Sequence, residues 1–314
     1  MTAPLLSRVR VLAAKIESTP GTPESLAAAD AAFNVFDPAI QQTADMAERP
    51  QQGGFGYLPD TVGARLGQVT FTTEAIAPSI APDWAATFLP AVGLGSDGAG
   101  VYSLEPLPPE AGGSKQKTLT IGCYENGLFK SIYGAMGTAV FTFTAGKRTL
   151  VAFTFQGIWG AVSDEAILAP TYPTAPALRF VQSSFAIGSW TPKVETLTLD
   201  LANEVLVRED STTTSGHSSA CIVNRRPGGS LNPEAELVAN NDLYGDWLAG
   251  TEQAIGWDCG SGDDAATFAA TNCQYINPQE TDRGGLAADD IAYKLNADDL
   301  SVTLVTTATT TFAP

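Results

Sequence analysis

Apolar and polar residues alternate with period two along three runs in the middle of the chain, residues 119–124, 138–144 and 150–156. Period two is strand spacing, because successive side chains of a pleated strand point to opposite faces. Turn-type residues separate the runs at Glu125-Asn126-Gly127 and Ala145-Gly146-Lys147, so the stretch reads as an antiparallel meander. Phe141 and Phe143 share one face of the second run, with Thr142 and Thr144 on the other, and Phe153 and Phe155 repeat the scheme on the third. Such a sheet must bury its aromatic face against another layer. Its threonine face is left for water or a partner.

The same alternation continues on both sides. In residues 63–76, Val69, Phe71 and Thr73 oppose Thr70, Thr72 and Glu74. Residues 195–207 set Leu197, Leu199, Leu201, Val205 and Val207 against Thr196, Thr198, Asp200 and Glu204, which reads as one long strand. Shorter strands are expected at 34–40, 101–104, 230–238, 267–275, 289–296 and 300–306. Two helices are expected. Residues 82–93 place Trp84, Phe88 and Leu89 on one face with Pro82 in the first turn, and residues 242–250 do the same with Leu243, Trp247 and Leu248. The alanine-rich piece 23–33 reads either as a short helix or as an extended arm ordered on assembly. Residues 46–61 and 208–219 read as long polar loops, and the Pro- and Ala-rich stretch 161–192 as a surface linker.

The order of these elements occurs twice: strand, loop, Arg-x-Gly turn, strand, Trp-bearing helix, strands. Arg65 to Gly67 corresponds to Arg226 to Gly228, and Trp84 to Trp247. The expectation is therefore a mainly β protein of two duplicated β-sandwich or barrel-like domains, each with a flanking short helix. Residues 1–160 form the first domain, 161–192 the linker and 193–314 the second.

Composition narrows the function. Thirty glycines and 20 prolines in 314 residues suit many short strands joined by turns. A formal charge of -17, from 17 basic and 34 acidic residues, argues against a surface that grips nucleic-acid phosphates, which needs clustered Lys and Arg. Four cysteines, Cys123, Cys221, Cys259 and Cys273, form no CxxC pair, and His217 is the only histidine to join them, so no zinc site is expected. They read as reduced thiols, with a Cys259–Cys273 pair as the alternative. No leader-like apolar segment opens the chain and no run approaches a membrane span, so synthesis and folding in the cytosol are expected.

Catalytic chemistry is not suggested. Gly93-Leu-Gly95-Ser-Asp-Gly98 matches a dinucleotide-binding pattern, but a helix precedes it and a strand follows, the reverse of the required context. The carboxylate pairs Asp263-Asp264, Asp289-Asp290 and Asp298-Asp299 are sequence neighbours that point apart on a strand. Asp258 to Asp264 has a faint calcium-loop character, yet Ala269 stands where the closing glutamate is needed. His217, in a Ser/Thr/Gly string, reads as a solvated loop residue with no relay. No enzyme, cofactor or metal is expected.

Three stretches resemble the tail tube proteins of long-tailed, non-contractile bacteriophages. They are Val11-Leu-Ala-Ala-Lys-Ile-Glu17-Ser-Thr-Pro-Gly21-Thr22, then Gly134-Ala-Met-Gly137 with the strands ending in Gln156-Gly-Ile-Trp159, and Leu197 to Val205 followed by Asn224-Arg-Arg-Pro-Gly-Gly-Ser230. The resemblance implies a virion protein, assembled in the host cytoplasm, that forms stacked rings around the DNA path. It also implies partners: further copies of itself, a tape measure protein, and tail tip and terminator proteins, with DNA passing unbound and no membrane involved. Single-domain members form sixfold rings, so a duplicated chain is expected to close as a homotrimer with pseudo-sixfold symmetry; a homohexamer is the runner-up. On this reading Glu74, Asp200, Glu204, Glu234 and Glu236 are candidates to line the lumen. Arg49, Phe55, Tyr57, Arg208, Asp210 and His217, in the two long loops, are candidates for contacts between rings. The alternative is a β-sandwich tail-tip or adhesin-like module that binds a receptor or glycan.

Overall fold

The computed structural model describes residues 8–77, 83–160, 162–261 and 264–305. The first seven residues, read above for a leader, and Pro82, Asp263 and Thr306 lie outside them. Strands dominate, in chain order β1 (Arg10–Ile16), β2 (Val35–Pro50), β3 (Tyr57–Glu74), β4 (Leu94–Ser96), β5 (Val101–Leu104), β6 (Leu119–Glu125), β7 (Leu128–Thr144), β8 (Leu150–Trp159) and β9 (Ser163–Asp164). There follow β10 (Ala186–Ile187), β11 (Val194–Asp200), β12 (Asn203–Glu209), β13 (His217–Arg225), β14 (Gly228–Pro233), β15 (Gln253–Ser261), β16 (Asp264–Arg283), β17 (Leu286–Leu295) and β18 (Ser301–Val305). The two short helices are α1 (Trp84–Phe88) and α2 (Leu243–Ala249). The alanine-rich piece forms only a 3-10 turn, Ala28–Ala31.

One sheet carries the molecule. Its path runs β2-β3-β8-β7-β11-β14-β17-β16 and continues through β18, β5 and β4, all the pairs being antiparallel. The connectivity of its two halves matches. In the first, β2-β3-β8-β7 is extended by β6 and β1, with β9 on β7; in the second, β11-β14-β17-β16 is extended by β15 and β10, with β18 on β16. Each long strand also shifts register beside its partner, β7 between Tyr133 and Met136 and β16 between Tyr275 and Asn277. A bulge bends a strand, so one strand can serve two layers: β7 pairs with β6 through its first residues and with β8 and β11 through its last.

The aromatic face of the meander is buried as its periodicity requires. Phe71, Phe153 and Phe155 pack on Phe88 of α1, with ring centroids 5.1 to 6.0 Å apart. Phe141 and Phe143 meet Phe268 and Trp257 of the second half edge-on at 5.1 to 5.6 Å. The two halves thus share one core.

Several elements differ from expectation. The stretch 161–192 is no surface linker, because Leu178, Phe180, Phe185, Ile187 and Trp190 are buried in the common core. Residues 46–61 are not a loop but the outer part of the β2–β3 hairpin, and 208–219 lies mostly within the β12–β13 hairpin. The single strand expected over 195–207 breaks after Asp200, where Ala202 takes φ 45°. Asp200 accepts the Ala202 N–H at 2.7 Å, and the chain leaves the sheet to form the separate β12–β13 pair.

Candidate functional site

The polar side of the sheet is continuous across both halves. Register places Glu74, Leu150, Thr142, Thr198, Ser230, Ala292 and Asn277 in one row running strand to strand. The next holds Thr72, Ala152, Val140, Asp200, Gly228 and Lys294, and a third Thr70, Thr154 and Thr138. Thr198 and Ser230 share a hydroxyl–hydroxyl hydrogen bond of 2.9 Å along the first row. Seven of these sixteen residues are Thr or Ser, five are apolar or glycine, and Glu74, Asp200 and Lys294 are charged, so the wall is mainly hydroxyl-bearing with few charges.

Of the five lumen candidates, Glu74 and Asp200 lie on it and Glu234 continues its face. Glu74 is paired with Arg148 at 3.0 Å and accepts a hydrogen bond from the Asn34 amide. Glu204 lies beyond the break, on β12. β14 ends at Pro233, but Glu234 keeps its register through a bridge to Ala288, and it binds Arg283 at 2.9 Å and Lys193 at 3.6 Å. Glu236 stands past the strand and is exposed. The period-two reading assigned all five to strands, but strand ends override it for Glu204 and Glu236.

The contact candidates also divide. Arg49, Phe55 and Tyr57 are exposed on the outer part of the β2–β3 hairpin, where Arg49 donates to the Pro59 carbonyl at 3.4 Å. The other three belong to a hairpin already docked within the chain. Val207 and Ala220 of β12 and β13, flanked by Val205 and Ile222, pack on Met136 and Ile158 of the first half. Arg208 binds Glu110 at 2.5 Å and the Ser219 hydroxyl at 2.9 Å. Asp210 accepts from Thr212 N–H and hydroxyl at 2.8 and 2.6 Å, which holds its carboxyl below the usual range. His217 is 6% exposed and its ring nitrogens have no hydrogen-bond partner among the described residues, so it is not the solvated loop residue its neighbours suggest.

Two of the three stretches that carry the resemblance meet at Glu17, a residue not singled out for any role in the sequence. Its carboxylate, 4% exposed, accepts from Gly21 N–H at 2.8 Å, Gly134 N–H at 2.6 Å, Thr118 hydroxyl at 2.7 Å and Thr120 hydroxyl at 2.9 Å. Among the described residues no cation pairs with it, and these hydrogen bonds satisfy the buried carboxylate. Thr120, one of these donors, lies on β6, which is buried on both faces, and Thr118 immediately precedes it. Gly21 (φ 79°) and Gly134 (φ 56°) must be glycine here: a Cβ on Gly21 would sit 2.3 Å from the Ser218 carbonyl oxygen, and one on Gly134 3.2 Å from the Cα atoms of Gly21 and Ser219. Arg225, from the third stretch, ties the docked hairpin down through the carbonyls of Gly93 at 3.4 Å and Glu105 at 2.5 Å. The resemblance motifs therefore set how the β12–β13 hairpin sits on the first half.

No reactive group stands out. All four cysteines are free thiols. Burial pushes Cys123 and Cys259 up to about 11 and Cys273 up to about 12, which keeps them protonated and unreactive. Among the described residues no group of three or more His, Cys, Asp or Glu side chains is placed to hold a metal, and no helix is long and apolar enough to cross a membrane.

Two edges are open among the described residues. β2, a terminal strand of the sheet, pairs there only with β3. In the second half, β16 pairs with β15 and β18 through its first part, but from Asn277 to Arg283 it pairs, among the described residues, only with β17. In the first half the matching edge of β7, Val140 to Thr144, is occupied by β11. Compared with known families, the chain matches the profile of the phage tail tube protein family over residues 7–308. No curated protein matches it.

Proposed function

Since the chain belongs to the phage tail tube protein family, we propose that it closes head to tail into rings of three, stacked into a tube that conducts DNA into the host. The carrying observation is the β7–β11 pairing inside the chain, where Val140, Phe141, Thr142, Phe143 and Thr144 face Asp200, Leu199, Thr198, Leu197 and Thr196. Read as the junction between two duplicated modules, it supports the addition of a third in the same way: the open edge of β16 in one copy takes the open edge of β2 in the next. Unpaired edges invite such addition, and a heterologous contact that repeats by a fixed rotation closes into a ring. Two modules per chain then need three chains to build the sixfold closure of single-module tubes. A hexamer with one half on the outside is disfavoured, since the junction puts both polar faces on one surface.

The hydroxyl-rich wall faces the lumen in this reading. It discourages DNA binding by lacking clustered cations, rather than by presenting rings of carboxylates. Tape measure, tip and terminator proteins would meet the tube inside and at its ends. Negative-stain microscopy of the purified protein tests the proposal. Rings or tubes support it, whereas dispersed monomers that bind a glycan array would favour the adhesin-like reading.

A further inference from the structure

We infer that the β2–β3 hairpin is an arm that grips the second half of the adjacent copy in the same ring, over the β16 bulge; this rests on the ring closure proposed above. β8 pairs with β3 only from Leu66 onward, so the outer part of the hairpin stands clear of the sheet. It exposes Met46 (50%), Tyr57, Leu58 and Val62 (56%). An isolated two-stranded hairpin is marginal in water, and one with an apolar pair on show calls for a surface.

The chain contains the docked counterpart. Beyond the sheet, both hairpins shift register, and the first cross-strand pair after the shift is Met46 with Val62 in one and Val205 with Ile222 in the other. Val205 and Ile222 pack beside Met136, which immediately follows the β7 bulge. The matching surface in the second half surrounds the β16 bulge, where Ile276 is 47% exposed and Lys294 stands on the neighbouring β17. The charges agree with the fit. Glu48, two residues beyond Met46, takes the place of Val207 and carries the charge that suits Lys294. The arm therefore reaches sideways, within a ring, because its counterpart does so within the chain.

The test is the double variant Val62→Cys/Ile276→Cys in a Cys221→Ser background, oxidised mildly, with native mass read on the same sample. Covalent dimers and trimers are expected from isolated rings, and none from either single-cysteine variant. Rings of normal mass without cross-links would overturn the inference and leave ring closure standing. Cross-links seen only in stacked tubes would also overturn it, since the arm would then reach the next ring. Monomers alone would sink the ring reading itself. Independently, Met46→Glu/Val62→Glu is expected to leave thermal unfolding unchanged but raise the concentration for half-assembly about tenfold, for two partly buried side chains lost; unchanged assembly would count against the arm.

Discussion

Replacing Glu17 tests whether the buried carboxylate organises the fold, as its four donors suggest. In Glu17→Gln one oxygen becomes an amide that can only donate. The threonine hydroxyls, each bonded to a different carboxylate oxygen, can rotate to accept from it; the Gly21 and Gly134 N–H groups cannot. Whichever way the amide is turned, one backbone N–H is left buried without an acceptor. An unsatisfied buried donor costs about 1–3 kcal/mol, and a hydrogen bond to a charged acceptor contributes about 1.5–3. The carboxylate's desolvation penalty, relieved in the variant, offsets part of this, so a loss of about 2–4 kcal/mol is expected. Glu17→Ala orphans all four donors and should cost about 3–5 kcal/mol, in the range for breaking a buried charged network. Urea unfolding followed by far-UV circular dichroism reads both as a lower midpoint at constant slope. If Glu17→Gln unfolds within 0.5 kcal/mol of the parent, roughly the scatter of neutral substitutions, the carboxylate is not the clasp described.

Three further outcomes follow from the same geometry. Asp83 caps α1 by accepting the Ala85 N–H at 2.9 Å, and burial pushes its pKa from 3.8 up to about 6. The folded chain therefore holds this proton more tightly than the unfolded one, so stability should fall by up to about 3 kcal/mol between about pH 4 and 6; Asp83→Asn, which keeps the cap, should flatten that portion of the pH–stability curve. Arg225→Ala should lower stability by about 1–3 kcal/mol through two carbonyls left without their charged donor, and an unchanged thermal midpoint would contradict its anchoring role. Thr154→Lys/Thr198→Lys should assemble normally yet retain DNA in a salt-dependent filter assay where the parent does not; retention no greater than the parent's would place these residues outside the lumen.

The sequence was most readable where local pattern and tertiary burial agree. Phe141, Phe143, Phe153 and Phe155 are buried and Thr142 and Thr154 are not, as period two requires. It was least readable where backbone geometry decided. Nothing local marks Ala202 for a positive φ, so Glu204 was carried onto the wrong element. Gly53, Gly54 and Pro50 disguised a hairpin as a loop, because turn residues at a tip say little about the length of the strands that flank them. In the stretch 161–192 the prolines spoke for a linker, but Leu178, Phe180, Phe185 and Trp190 were spaced to enter a core. Glu17 was hidden altogether, since three of its four donors come from positions about a hundred residues away in sequence.

The repeated strand connectivity, the in-chain β7–β11 junction and the two edges open among the described residues all bear on how many copies would close the proposed ring. Native mass spectrometry of rings released from short tubes measures that number directly. The expected mass is three times the 32.7 kDa of one chain, with end-on views showing six similar lobes in alternating pairs. A ring of six chains would contradict the closure described here, and would mean that the β16 edge meets something other than β2 of the next copy.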